Sequence, residues 1–268
     1  MRPSVPPTGP LLERRRSRLS VHPLAMRPAE EYRSAVDFFR SGVSDGAIAS
    51  LLGIPRETIR DWRRGAGALR TRAGRTCPIC GEAPLDGRPY AYLLGLYLGD
   101  GCLSVHRRGV YRLRISLDAR QPEIVDECAR AVAAVAVGKR VGRQSAPGCV
   151  VVSSYWKHWA CLFPQHGSGK KHERRIGLAG WQRRITRAHS DLFLKGLIQS
   201  DGCRVTNRVR GRAYPRYHFS NRSRDILRIF CQACDDFGVS WTRSSFKEIS
   251  VARAADTRAL DQIIGPKG

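Results

Sequence analysis

The sequence predicts an α+β fold: two repeats of the order αββαββα, preceded by a small all-α module. Three observations carry this. The pattern L-x-G-L-x-x-x-D-G occurs twice, at 93–101 (LLGLYLGDG) and 194–202 (LKGLIQSDG), and each copy runs on into a cysteine, Cys102 and Cys203. The two aspartates, Asp100 and Asp201, lie 101 residues apart, a half-domain spacing too long for a solenoid repeat. Each copy is followed by segments that alternate apolar and basic residues, the period of a half-buried strand.

Residues 1–28 are rich in proline and arginine and lack an apolar period, the composition of a disordered basic tail. Met26 offers a second start within it. From 29 to 66 the character changes. Tyr32, Val36 and Phe39 recur at helical spacing, and Ser44 is placed to cap DGAIASLLG, which stops on Gly53. Pro55 opens RETIRDWRRG with Ile59 and Trp62 inward. Two short helices around a glycine turn resemble a helix-turn-helix DNA-binding domain, in which Arg56, Thr58, Arg60 and Arg63 would face groove and phosphate. Residues 67–89 form a linker, which takes in most of the flexible stretch GAGALRTRAG at 65–74, and then a C-x-x-C knuckle, Cys77 and Cys80. Two thiols at that spacing are half of a structural Zn2+ site. Cys231 and Cys234 share the spacing but sit in an apolar helical pattern, where buried thiols are expected.

Repeat one is expected over 90–189. In its YRLRISL segment, Leu113, Ile115 and Leu117 fall on one face, with Arg112, Arg114 and Ser116 on the other. Pro122 starts a helix through Ile124, Val125, Cys128 and Val132. Strands follow at 139–143 and 149–154, then a helix near 156–163 and a basic loop over 166–184. Repeat two, 190–268, retraces this. Arg204, Thr206, Arg208 and Arg210 are read as one strand face, with Val205 and Val209 behind; Arg216, His218 and Ser220 lie opposite Tyr217 and Phe219. A helix through Ile226 and Phe230, strands at 241–245 and 246–251, and a closing helix over 257–264 complete it. The strand arginines Arg112, Arg114, Arg204, Arg208, Arg210 and Arg216, with His218, suit a major groove and its phosphates.

The net charge is +24, from 47 Lys+Arg against 23 Asp+Glu, which favours a polyanionic partner, nucleic acid first. The longest apolar run, 131–137, is too short to span a bilayer, so no membrane role is expected. Nine cysteines, an odd count without a secretory signal, argue for reduced thiols and a cytoplasmic, nucleoid-associated protein. The chain opens on Met1 and closes on GPKG, without the terminal asparagine and nucleophile of a splicing element, so a free-standing chain is expected.

In each copy of the repeated stretch an apolar helix ends on a carboxylate and then a glycine. A helix C-terminus is the negative end of the backbone dipole, where an acid is least favoured. Two such helices packed side by side, with Gly95 and Gly196 allowing close approach, bring both acids to one end, and a divalent cation relieves their repulsion. The glycines themselves read as ordinary left-handed C-terminal stops.

The repeated stretch resembles the LAGLIDADG motif of two-copy, single-chain homing endonucleases. Leu93, Gly95, Leu96, Asp100 and Gly101 match in the first copy, and Leu194, Gly196, Leu197, Asp201 and Gly202 in the second. The sixth position, acidic in the family, is Leu98 in one copy and Gln199 in the other. The resemblance spans about two thirds of the chain, from Tyr90 onward. It implies a pseudo-twofold domain whose two sheets form a DNA-binding β-saddle. Asp100 and Asp201, with the carbonyls of Gly99 and Ser200, would hold Mg2+ or Mn2+. One lysine per repeat would serve the water or the scissile phosphate: Lys171 or its neighbour Lys170 in repeat one, Lys267 in repeat two. The function implied is Mg-dependent, site-specific hydrolysis of double-stranded DNA by a monomer. The alternative is a transcriptional regulator that binds DNA on the same scaffold without cutting it.

Overall fold

In a computed structural model of the chain, the described residues are 29–64, 77–81 and 83–265. The proposed basic tail, most of the linker ahead of Cys77, and Lys267 lie outside them. The described residues fall into two compact units, one on each side of that linker.

Among the described residues the first unit has three helices, α1 (Ala29–Arg40), α2 (Asp45–Leu52) and α3 (Arg56–Arg63). Ser44 caps α2 by accepting from the Ala47 N–H, and Gly53 ends it in the left-handed region at φ 62°. Ala35, Ile48, Ile54, Ile59 and Trp62 form its core, with Tyr32 set edge-on to Trp62 at 5.4 Å. Arg56 and Arg60 are exposed and Thr58 half-buried. Arg63 departs from its expected role. Its Nε donates to Asp45 at 2.6 Å, its Nη2 donates to the Val43 carbonyl at 2.6 Å, and its guanidinium lies over Phe39. The helix expected to offer it to DNA uses it instead to hold the module together.

The second unit carries the expected order twice. Repeat one runs α4 (Gly87–Asp100), β1 (Gly101–His106), β2 (Val110–Asp118), α5 (Pro122–Val135), β3 (Val141–Ala146), β4 (Cys149–Trp156) and the single turn α6 (Trp159–Leu162). Then α7 (Gly180–Ala188) fills the end of what was expected to be loop. Its Gln182 is fully buried, bonded to Tyr90 Oη, Gln165 and the Leu162 carbonyl. Repeat two runs α8 (Ser190–Asp201), β5 (Gly202–Val209), β6 (Arg212–Ser220), α9 (Arg224–Phe237), β7 (Thr242–Ser245), β8 (Glu248–Val251) and α10 (Ala254–Ile264). Each repeat folds its strands into one four-stranded antiparallel sheet, in the orders β1-β2-β4-β3 and β5-β6-β8-β7. Among the described residues no helix is long and apolar enough to cross a membrane.

A single apolar core runs through this unit, and α4 with α8 forms its centre. Leu93, Leu94, Leu96 and Leu98 of α4 are fully buried, as are Leu194, Leu197 and Ile198 of α8. Both helices bury most of their apolar side chains against neighbouring elements. Gln199, which stands at the sixth motif position, is buried in that core. Its Oε1 accepts from Tyr92 Oη at 2.6 Å and its Nε2 donates to the Ile264 carbonyl. The motif tolerates a neutral residue here because the position packs inward.

Candidate metal and nucleic-acid site

The close crossing of α4 and α8 follows from two glycines. A Cβ at Gly95 would lie 2.6 Å from the Phe193 carbonyl oxygen and 2.7 Å from the Leu197 nitrogen. At Gly196 it would run into the Tyr92 carbonyl and lie 3.1 Å from the Gly95 Cα. The backbones are in contact, which no side chain permits. The two helices stay together to their ends, where a Cβ on Gly99 would overlap the Ser200 side chain and sit 3.0 Å from the Asp201 carboxyl carbon.

Beyond Asp100 and Asp201 the chain does not make the expected left-handed stop. Gly101 (φ −91°, ψ 151°) and Gly202 (φ −103°, ψ 162°) are extended, and the helix passes straight into a strand. Glycine is required for space: a Cβ would fall 2.5 Å from the Tyr97 Cα in one repeat and 2.8 Å from the Ile198 Cα in the other.

Both carboxylates line one cavity of about 560 Å3, together with Lys170, Lys171, Arg174 and Asn221. Asn221 Nδ2 donates to Asp201 Oδ2 at 2.6 Å. Lys171 reaches in from the segment between the repeats. Its Nζ donates to the carbonyls of Tyr97, Leu98 and Gly99 at 2.5, 2.9 and 2.9 Å, among the last acceptors at the end of α4. Burial pushes this ammonium down to about 8, against the pull of Asp201 and Asp100. The Gly99 carbonyl, a ligand expected from the motif, is thus already bonded to a cation of the chain itself. Lys170 is exposed. The Ser200 hydroxyl turns back along α8 to the Gly196 and Leu197 carbonyls.

The strand faces follow from register, since residues paired across an antiparallel ladder share a face. In sheet one Leu113, Ile115 and Leu117 are buried and Arg112 and Arg114 lie on the opposite face, as expected. In sheet two the reading of β6 holds and that of β5 does not. Arg204 pairs with Tyr217, which is buried on the helix side, so Arg204, Thr206 and Arg208 share that side. Arg204 is bound bidentately to Asp261 of α10 at 2.7 and 3.0 Å. Arg210 stands in the hairpin turn at φ 50° rather than on the strand. Cys203, Val205 and Asn207 occupy the helix-free face instead, paired with His218, Arg216 and Tyr214. The start of β5 at Gly202 sets its parity, and a one-residue slip exchanges the two faces.

Register also shows that Arg112 and Arg216 are equivalent. Each stands opposite the fourth residue of its repeat's first strand, Ser104 and Val205. The Nε of each is buried without a hydrogen-bond partner, as is Arg174 Nη1 beside the cavity. His218 lies 3.1 Å from Glu248.

Cys77 and Cys80 are joined in space by two residues that the sequence reading passed over, His158 and Cys161, all four ligand atoms lying within 4.8 Å of one another. Desolvation of its sulfur, with the Cys77 and Cys161 sulfurs beside it, pushes the Cys80 thiol up to about 12, although the residue as a whole is exposed. His158 and Cys161 form an H-x-x-C spaced like the cysteine pair, a signal that was present in the sequence. Cys231 and Cys234 are buried thiols in α9, as expected.

No family profile matches the chain, and no curated protein matches it. Solved structures do. Mesophilic variants of the homing endonuclease I-DmoI share 15% identity over 67% of this chain and 97% of theirs, with a TM-score of 0.46. The LAGLIDADG meganuclease I-AabMI, bound to uncleaved DNA, shares 14% over 65% of this chain and 82% of its own at 0.41. The N-terminal LAGLIDADG domain of DUF199/WhiA shares 13% over 68% and 83% at 0.41. On its two motifs and its repeated strand order, the chain resembles the two-motif LAGLIDADG homing endonucleases.

Proposed function

We propose that the chain is a site-specific double-stranded DNA endonuclease that uses a divalent cation, Mg2+ or Mn2+. The observation that carries this reading is the meeting of Asp100 and Asp201 at one cavity, at the ends of helices whose glycines let their backbones touch. The donor set fits a hard cation. Two carboxylates and the nearby Ser200 carbonyl are oxygen ligands of the kind Mg2+ takes while keeping several waters. When bound, such an ion polarises the phosphodiester and acidifies a water. Around it the chain's own groups bind and orient. Asn221 holds the Asp201 carboxylate in place, and the Lys171 ammonium and Arg174 supply positive charge for a phosphate entering the cavity. Arg112, Arg114, Arg216 and His218 offer donors on the helix-free sheet faces, and the orphaned Nε atoms of Arg112 and Arg216 are suited to phosphate or base edges. Arg56, Thr58 and Arg60 of the helical module add a second DNA contact in this reading, on a monomeric, cytoplasmic protein.

One observation favours a second reading, a DNA-binding regulator that does not cut. Lys171 Nζ already satisfies the Gly99 carbonyl and sets a positive charge against both aspartates, which a site that only binds DNA would also accommodate. The two separate in a single assay. The purified chain, Asp100→Asn and Asp201→Asn are each incubated with Mg2+ and plasmid carrying the protein's own locus. Cutting by the wild type alone, with DNA binding kept in all three, supports the nuclease. Binding by all three with no cutting selects the regulator.

A further inference from the structure

We infer that Cys77, Cys80, His158 and Cys161 bind one structural Zn2+ that fastens the segment leading into α4 to the turn that follows sheet one. The inference is independent of whether the chain cuts DNA.

Cys77 and Cys80 lie in a tight turn closed by the Gly81 N–H on the Cys77 carbonyl at 2.9 Å. Within it the Cys80 N–H points to Cys77 Sγ at 3.5 Å, so one backbone donor is directed at a sulfur. His158 and Cys161 sit three residues apart at α6, on one face of a helical turn. Cys80 Sγ lies 3.1 Å from His158 Nδ1 and 4.0 Å from Cys161 Sγ, and Cys161 Sγ lies 3.9 Å from the same nitrogen. With Zn–S near 2.3 Å and Zn–N near 2.0 Å, the edges of a tetrahedral site are roughly 3.5–3.8 Å, so the three separations among Cys80, His158 and Cys161 bracket what such a site needs, and Cys77 Sγ lies within 4.8 Å of all three. A disulfide, at about 2.0 Å between sulfurs, is far from the observed Cys80–Cys161 distance. The four residues also have the chemistry of a site closed to substrate: three thiols and an imidazole, with no coordination position left over.

Position explains what the ion would do. Cys77 is fully buried in the main core, nine residues before the cap of α4 at Asp86. His158 and Cys161 follow β4 on the other side of 75 or more residues of chain. Zinc across that gap closes a long loop, and its binding energy becomes folding energy for repeat one.

The full chain, expressed with zinc and then dialysed, is expected to retain one equivalent by elemental analysis. Cobalt in place of zinc is expected to give the visible bands of a tetrahedral site and a thiolate charge-transfer band. Cys80→Ser and Cys161→Ser are expected to lose the equivalent and melt at a lower temperature, as the chelated wild type does. Cys161→His, which keeps a ligand, and Cys234→Ala, outside the cluster, are expected to retain it. Should a serine variant fail to fold, the wild-type cobalt spectrum still decides. A wild type with no metal and no tetrahedral cobalt spectrum overturns the inference. So does full zinc content in both serine variants, or a mass showing a disulfide among these cysteines.

Discussion

Gly196 shows how a single hydrogen in place of a side chain decides where two carboxylates go. The Tyr92 carbonyl occupies the volume a methyl group would need, and neither backbone can retreat without opening the core around Leu93, Leu197 and Ile198. Gly196→Ala is therefore expected to destabilise the second unit by about 1–3 kcal/mol, the cost of overpacking a dense core. Gly177→Ala, with nothing within 4 Å of its Cβ, is expected to stay within about 0.5 kcal/mol. Urea unfolding of both variants checks this, and equal midpoints would remove the argument for backbone contact at the crossing. Lys171 makes the complementary point. Its role was expected to be at the phosphate, and its ammonium also closes the end of α4, a use invisible in sequence because the carbonyls it meets are more than seventy residues away.

At the scale of elements, α10 is tied to sheet two by one carboxylate. Asp261 accepts two bonds from Arg204 and one from Tyr217 Oη at 2.6 Å, and the Arg204 guanidinium holds it below the usual carboxylate range. A depressed folded pKa contributes stability that is fully present above the unfolded value, near 4, and is lost as pH falls through the lower folded value. Asp261→Asn is accordingly expected to melt below the wild type at pH 7, with the gap closing as pH falls below about 4. A gap constant from pH 7 to pH 3, followed by thermal melts, would show that the carboxylate contributes no linkage. The same tie explains why β5 turns its other face outward. Alternation in β5 identifies two faces but not which is inward. With two valines and three arginines in the pattern, the aliphatic residues read as the inner set. The contacts of Tyr217 and Asp261 reverse it.

For the whole molecule the consequence is that the positive charge on the helix-free sheet faces sits on fewer strands than the arginine count suggests. Arg112→Ala and Arg216→Ala are each expected to weaken DNA binding and to reduce the salt slope by about 0.9 for each phosphate no longer neutralised. Arg208→Ala, on the helix side of sheet two, is expected to leave the slope unchanged. Binding titrations across salt test this, and equal weakening in all three variants would mean that net charge, not strand face, governs the interaction.

Much of the architecture was legible in the chain itself. Two copies of an apolar stretch with glycine in its interior and a terminal acid, each followed by alternating segments, already specify paired helices, two sheets and a shared carboxylate site. These features are local and periodic, so sequence carries them directly. Strand parity in β5, the capture of Arg63 and Lys171 by backbone carbonyls, and the union of Cys77 and Cys80 with His158 and Cys161 depend on groups far apart along the chain. Only the packed fold sets those distances, because hydrogen bonds and metal ligation act over a few ångströms of space, whatever the separation in sequence.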